Sequence, residues 1–239
     1  MVSIIGIIGI FPLIIVFGIC FALTLRSYLN NPDHTKIFFM IWSISVALTY
    51  ISWGLRVLLV PQYETDKTIL YPFWAFAYAF GGLALISLDF ATLNLTKKQE
   101  STILKFIRII ILVGYIGVLI ILIIGFEMEL IVFMDVSDLT IINPFVYFYF
   151  TLLILFYIFF PNAIFINYLR KSPEKNTFTY KRVRTIEVGI LLFCIGMALD
   201  GARIPSNIGI LIARLIELIG GIITMKGYLM KPTSGKENN

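Results

Sequence analysis

Charge is scarce in this sequence: 14% of its 239 residues are Asp, Glu, Lys or Arg, against about 25% in an ordinary soluble domain. A soluble fold needs that charge to cover its surface. With mean hydropathy at +0.93, 21 Phe and 12 Tyr, too little polar material remains to do so. A soluble globular enzyme, a disordered tail and a nucleic-acid module are thereby excluded. Cysteine is nearly absent. Cys20 and Cys194 sit singly in separate apolar runs, which excludes a disulfide framework, a thiol metal site and redox dithiol chemistry. Histidine is scarcer still. His34, beside Asp33 in the first inner loop, is the only one. Intramembrane metallohydrolases need several His and acidic ligands, haem bundles need axial His or Met pairs, and a Ser–His dyad needs a His inside a span. A retinal Schiff base needs a lysine in the middle of the last span, where the only Lys is Lys226, at its end. No catalytic residue, metal or cofactor is expected.

Long hydrophobic runs are what the chain has instead. Crossing a bilayer takes about 20 mostly apolar residues in a helix. Seven runs meet that need: Ser3–Leu25, Ile37–Val60, Ile69–Leu95, Phe106–Phe126, Pro144–Leu169, Ile186–Arg203 and Asn207–Leu229. The expected fold is an all-α polytopic bundle of seven transmembrane helices, with one domain over 1–230 and a short polar cytoplasmic tail over 231–239. The sixth and seventh runs are separated only by Ile204, Pro205 and Ser206 and read as a tight helical hairpin. The first lacks the basic start and small-residue exit of a cleaved signal, so it is expected to persist in the mature protein. The 127–143 connection mixes Glu127, Glu129, Asp135 and Asp138 with apolar residues, and reads as an interfacial loop, a short helix or a hairpin at the outer mouth.

Loop charges orient the bundle. Arg26, Lys36, Lys97, Lys98, Lys105, Arg108, Arg170, Lys171, Lys175, Lys181, Arg182, Arg184, Lys226, Lys231 and Lys236 fall on one side, 15 cations against Lys67 alone on the other. Lys and Arg concentrate in cytoplasmic loops, so the N-terminus is expected outside and the C-terminus inside. These cations face anionic headgroups and explain a pI of 9.1 without nucleic acid.

Six charges remain inside the spans: Arg56, Arg203 and Arg214 against Asp89, Asp200 and Glu217. Each would cost about 2.5–3.5 kcal/mol at the bilayer centre, so they are expected to face water, the bundle interior or one another. At 1.5 Å per residue, Arg56 lies about 6 Å from the outer end of its helix, Arg214 about 10 Å and Glu217 about 15 Å. Asp200 and Arg203 fall near the outer end of the sixth run. Asp200 with Arg203, and Arg214 with Glu217, share helix faces at i,i+3 spacing. Tyr71, Trp74 and Tyr78 add an aromatic face at a similar depth, with Tyr50 and Trp53 preceding Arg56. A charge cluster below an aromatic-lined mouth describes a pocket for a small, anionic ligand. It equally describes structural ion-pair locks beneath an interfacial aromatic belt. Asp89, apart from the rest, is an ion-linked candidate in the inner half, with Arg184 as its prospective cation and Asn94, Asn162 and Pro161 nearby. The other eleven acids are placed in loops and termini. Glycines 81, 82, 114, 117, 189, 196, 220 and 221 mark close helix seams. The echo between Arg184-Thr185-Ile186-Glu187-Val188-Gly189 and Arg214-Leu215-Ile216-Glu217-Leu218-Ile219-Gly220 is too short to establish a repeat.

The phrases Phe38-Phe39-Met40-Ile41-Trp42, Trp53-Gly54-Leu55-Arg56 and Phe80-Gly81-Gly82, with Asp89-Phe90 further on, resemble the seven-helix sensor regions that precede microbial signalling modules such as histidine kinases. No kinase or cyclase segment follows in this sequence, so the resemblance implies a separate cytoplasmic signalling partner, expected at Arg170–Arg184. The combined expectation is a multi-pass protein of the cell membrane, non-enzymatic and receptor-like, whose partners are the lipid bilayer, a small-molecule ligand and that signalling protein. The alternatives are an ion- or proton-linked transporter or channel and a structural membrane subunit.

Overall fold

The computed structural model describes residues 4–59, 67–95, 102–135, 138–141, 143–171, 175, 177–201 and 207–230. It contains seven long helices: α1 (Ile4–Asn30), α2 (His34–Leu59), α3 (Tyr71–Leu95, entered through a short 3-10 turn), α4 (Thr102–Ile124), α5 (Pro144–Lys171), α6 (Phe178–Gly201) and α7 (Asn207–Leu229). Six of them are long and apolar enough to cross a membrane; α6 falls outside that set because Arg184, Glu187 and Asp200 lie within its 24 residues. At 1.5 Å per residue α6 is nonetheless about 36 Å long, enough to span the hydrocarbon core. The chain is a multi-pass integral membrane protein.

Several helices outrun the apolar runs that announce them. α1 continues to Asn30, α4 starts at Thr102 and α6 at Phe178. A backbone leaving hydrocarbon satisfies its N–H and C=O groups most simply by staying helical, so polar residues at the headgroup level extend the helix. α5 runs unbroken through Pro161. In the 127–143 connection the structure forms a hairpin, β1 (Ile131–Asp135) paired antiparallel with β2 (Asp138–Ile141). Glu129 takes a positive φ of 54° where the chain turns out of α4. Ile131 is wholly buried against Trp74, Val118, Leu122 and Phe150, which fixes the hairpin to the ends of α3, α4 and α5.

Helix neighbours form a ring: α1 packs on α2 and α7, α2 on α3, α3 on α4 and α5, and α6 on α5 and α7. Inside it an aromatic knot joins α1, α2 and α6, with Phe17, Trp42 and Phe193 at centroid separations of 5.2–5.6 Å. Outward lie Ile109, Val113, Ile116, Ile120 and Ile123 of α4, and Phe145, Phe148, Leu152 and Phe159 of α5. So much exposed apolar surface would be unstable in water and is the surface lipid covers.

The α6–α7 contact is the most extensive between helices among the described residues. Residues Gly189 and Gly196 on α6, and Ala213, Gly220 and Gly227 on α7, recur every seven residues along the shared face. A Cβ at Gly196 would stand 2.7 Å from Glu217 N and 2.9 Å from Ala213 O; one at Gly220 would stand 2.7 Å from Gly189 O and 2.8 Å from the Phe193 Cα. Only glycine fits where backbone meets backbone.

Candidate functional site

The seam between α6 and α7 carries the charges. Near the end opposite the basic loops, Arg214 of α7 reaches across to Asp200 of α6, with Nε 3.5 Å from Oδ1 and both side chains largely buried. The pairing runs between the two helices, so the hairpin does bring these residues to one level. The Arg214 guanidinium carbon lies 5.9 Å from the Tyr50 ring centre on α2, and its Cδ would be 3.1 Å from a Cβ at Gly9 of α1. Larger residues at Gly9 would push the arginine away.

One turn deeper, Glu217 is 0% exposed. The Tyr50 hydroxyl donates to its Oε2, and no described residue bonds its Oε1. Gly196 of α6 lies against its backbone N and its Cγ, so the stem of the side chain packs on α6 while the carboxyl is bonded from α2. Asp200, Arg214, Glu217 and Tyr50 therefore form one polar cluster where α1, α2, α6 and α7 converge. The role of Tyr50 was hidden in the sequence because the contact joins residues 167 positions apart.

The remaining expected members sit elsewhere. Arg56 is buried on a face of α2 about 120° round from Tyr50, with its guanidinium 4.0 Å above the Trp53 ring. From Trp53 an aromatic file continues through Tyr78 (6.5 Å), Trp74 (4.2 Å), Tyr71 (6.0 Å) and Phe126 (4.5 Å). The Tyr71 hydroxyl donates to Leu122 O. Tyr71, Trp74 and Tyr78 thus pack with one another and with α4 and the hairpin, rather than around Arg214. Arg203 lies outside the described residues.

Towards the basic end a second polar group is buried. Asp89 of α3 and Glu187 of α6 are each 4% exposed; Asp89 Oδ2 and both Glu187 oxygens meet no hydrogen-bond partner among the described residues. Asn162 of α5 donates to Ile158 O, and its side chain is within bonding reach of the Cys194 thiol. Glu187 corrects the placing of all eleven remaining acids in loops and termini: it falls within the sixth run, Ile186–Arg203, and because α6 starts at Phe178 it lies more than two turns inside the helix. The echo between Glu187 and Glu217 was the signal that marked it. Arg184 does not pair with Asp89 among the described residues; its side chain is exposed. Asn94 instead accepts from Arg108 Nη2 at 2.7 Å.

At the basic end itself, Arg182 donates to Gly227 O (3.3 Å) and Tyr228 O (2.9 Å), closing the last turn of α7 onto the first of α6. Lys36 does the same for α1 and α2, reaching Ser27 O at 3.0 Å and Asn31 O at 2.6 Å. Among the described residues, no three of His, Cys, Asp and Glu are grouped to hold a metal ion. No protein-family model, curated protein or solved structure matches this chain.

Proposed function

We propose that this membrane protein is a non-enzymatic, receptor-like sensory module of the cell membrane, with its N-terminus outside and C-terminus in the cytoplasm, that binds a small anionic ligand at the cluster of Tyr50, Asp200, Arg214 and Glu217. The observation that carries the reading is position: the cluster sits astride the α6–α7 seam. An anion arriving there competes with Asp200 for Arg214. Arg forks suit carboxylate or phosphate, and releasing Asp200 unfastens α6 from α7 at that end. Below the cluster the two backbones touch, and close-packed interiors pass displacement on rather than absorb it. Motion at the top therefore reaches the Arg182 anchor and the basic Arg170–Arg184 segment, where a signalling protein would receive it.

Thermal unfolding of the detergent-solubilised protein with small carboxylates and inorganic phosphate tests this. A ligand at one hundred times its Kd adds about 2.7 kcal/mol to stability. The expected result is a rise in Tm for wild type with one anion class, absent in Arg214→Ala. If no anion stabilises wild type above that variant, the binding reading fails.

A second reading, a proton-linked transporter, is favoured by the orphan oxygens of Asp89, Glu187 and Glu217, because a buried carboxylate without a partner is costly unless it takes up a proton. Proton-driven flux in liposomes that persists unchanged in Asp89→Asn would count against it.

A further inference from the structure

One flank of α6 at its basic end is exposed. Lys181, Arg184, Thr185 and Val188 follow one another at i, i+3, i+4 and i+7, the spacing that puts side chains on one helical face. With Ile223 of α7 they line a groove of about 270 Å³. Its two halves differ in chemistry. The half nearer the helix start holds the two cations, both exposed and neither paired with a described residue; the other half is floored by Val188 and Ile223. Thr185 donates its hydroxyl proton to Lys181 O at 2.9 Å, which leaves the hydroxyl oxygen facing the groove as an acceptor only. No acid is among the described lining residues. Arg182, the cation between the two, is turned to the other side and committed to α7.

The groove lies at the end of the bundle where the basic loops gather. Further along the two helices, Leu191, Ile219 and Ile222 are exposed and apolar, the surface lipid tails cover. A ligand filling it must present negative charge at headgroup level and hydrocarbon one turn deeper. A soluble anion satisfies the first requirement only. We infer that the Lys181–Arg184–Val188–Ile223 groove binds an anionic phospholipid, its phosphate between Lys181 and Arg184 and the start of an acyl chain along Val188 and Ile223. This site is independent of the ligand cluster at the other end of α6, and stands or falls separately from it. Basic pockets between helices at the cytoplasmic face are suited to anionic headgroups.

Native mass spectrometry of the full chain, released from mixed micelles of phosphatidylglycerol and phosphatidylcholine, reads the retained lipid directly. Wild type is expected to keep phosphatidylglycerol over phosphatidylcholine. Two interfacial cations contribute about 1 kcal/mol each, so Lys181→Gln with Arg184→Gln should weaken retention about thirtyfold. Arg26→Gln with Lys171→Gln removes the same charge from the same side but away from the groove, and should leave retention unchanged. Val188→Trp keeps both cations and fills the floor, and should also lower retention; it guards against a folding defect in the charge variant. Equal losses in the two charge-removal pairs, or undiminished retention in Val188→Trp, would overturn the site. So would inorganic phosphate displacing the lipid at equimolar concentration, since the groove would then be a site for soluble phosphate.

Discussion

Each buried charge in the cluster depends on a specific neighbour. Tyr50 supplies the hydrogen bond that Glu217 Oε2 receives, and the other oxygen already lacks a described partner. Tyr50→Phe removes only the hydroxyl, so the expected loss is that of a buried acceptor left unsatisfied, about 1–3 kcal/mol, read as a lowered Tm in detergent. Asp200 and Arg214 are tied to each other across the seam. A double-mutant cycle on Asp200→Asn and Arg214→Gln should return a coupling of about 0.5–3 kcal/mol; additive losses would mean the pair is geometric only. Their nearness was legible in the sequence because a three-residue link forces two neighbouring runs side by side. Their pairing was not: the i,i+3 spacing sets Asp200 with Arg203 and Arg214 with Glu217, each within its own helix, whereas the bond runs between helices. The roles of Tyr50 and Glu187 were not legible either. The first needs a side-chain contact from α2 to α7. The second, although it is the second residue of the run Ile186–Arg203, counts with the loop charges in the sequence because it stands at the edge of that run.

At the scale of the element, the α6–α7 pair behaves as one body because its glycines remove the side chains that would hold the helices apart. Gly196→Leu places a branched side chain where Glu217 N and Ala213 O already stand under 3 Å from a Cβ. Overpacking of this kind costs about 1–3 kcal/mol or more, and here it must also disturb Asp200–Arg214. Gly18 of α1 is the contrast: nothing lies within 4 Å of its added Cβ. Gly18→Ala should be neutral, or stabilising by up to about 1 kcal/mol through helix propensity. Parallel Tm measurements on the two variants check both. Helix existence was readable everywhere, since lipid demands about 20 apolar residues per crossing. Helix ends were not, because the requirement that fixes the length lapses at the headgroups. The hairpin was one of three forms expected for its connection, and Ile131, packed beneath Trp74, is what anchors it.

For the whole molecule, the ring of helices places one polar cluster at each end of the α6–α7 body, with an aromatic knot of Phe17, Trp42 and Phe193 between them. Sequence alone gave six charges within spans as a single group of five with Asp89 apart. In three dimensions Asp200, Arg214 and Glu217 gather around Tyr50, while Arg56 joins Trp53 and the aromatic file on α3. That division follows from the faces of α2, which no count of charge by depth can resolve. In the proposed function, the cluster of Tyr50, Asp200, Arg214 and Glu217 sets the position of the basic end of α6. Spin labels at Leu29 on α1 and Thr179 on α6, in the full chain with Cys20 and Cys194 replaced by Ala, measure that position by pulsed electron resonance. The account predicts that Asp200→Asn shifts the distance between the labels by about 2 Å, the scale of helix displacements in switching bundles. An unchanged distance in a variant that keeps its fold would contradict it.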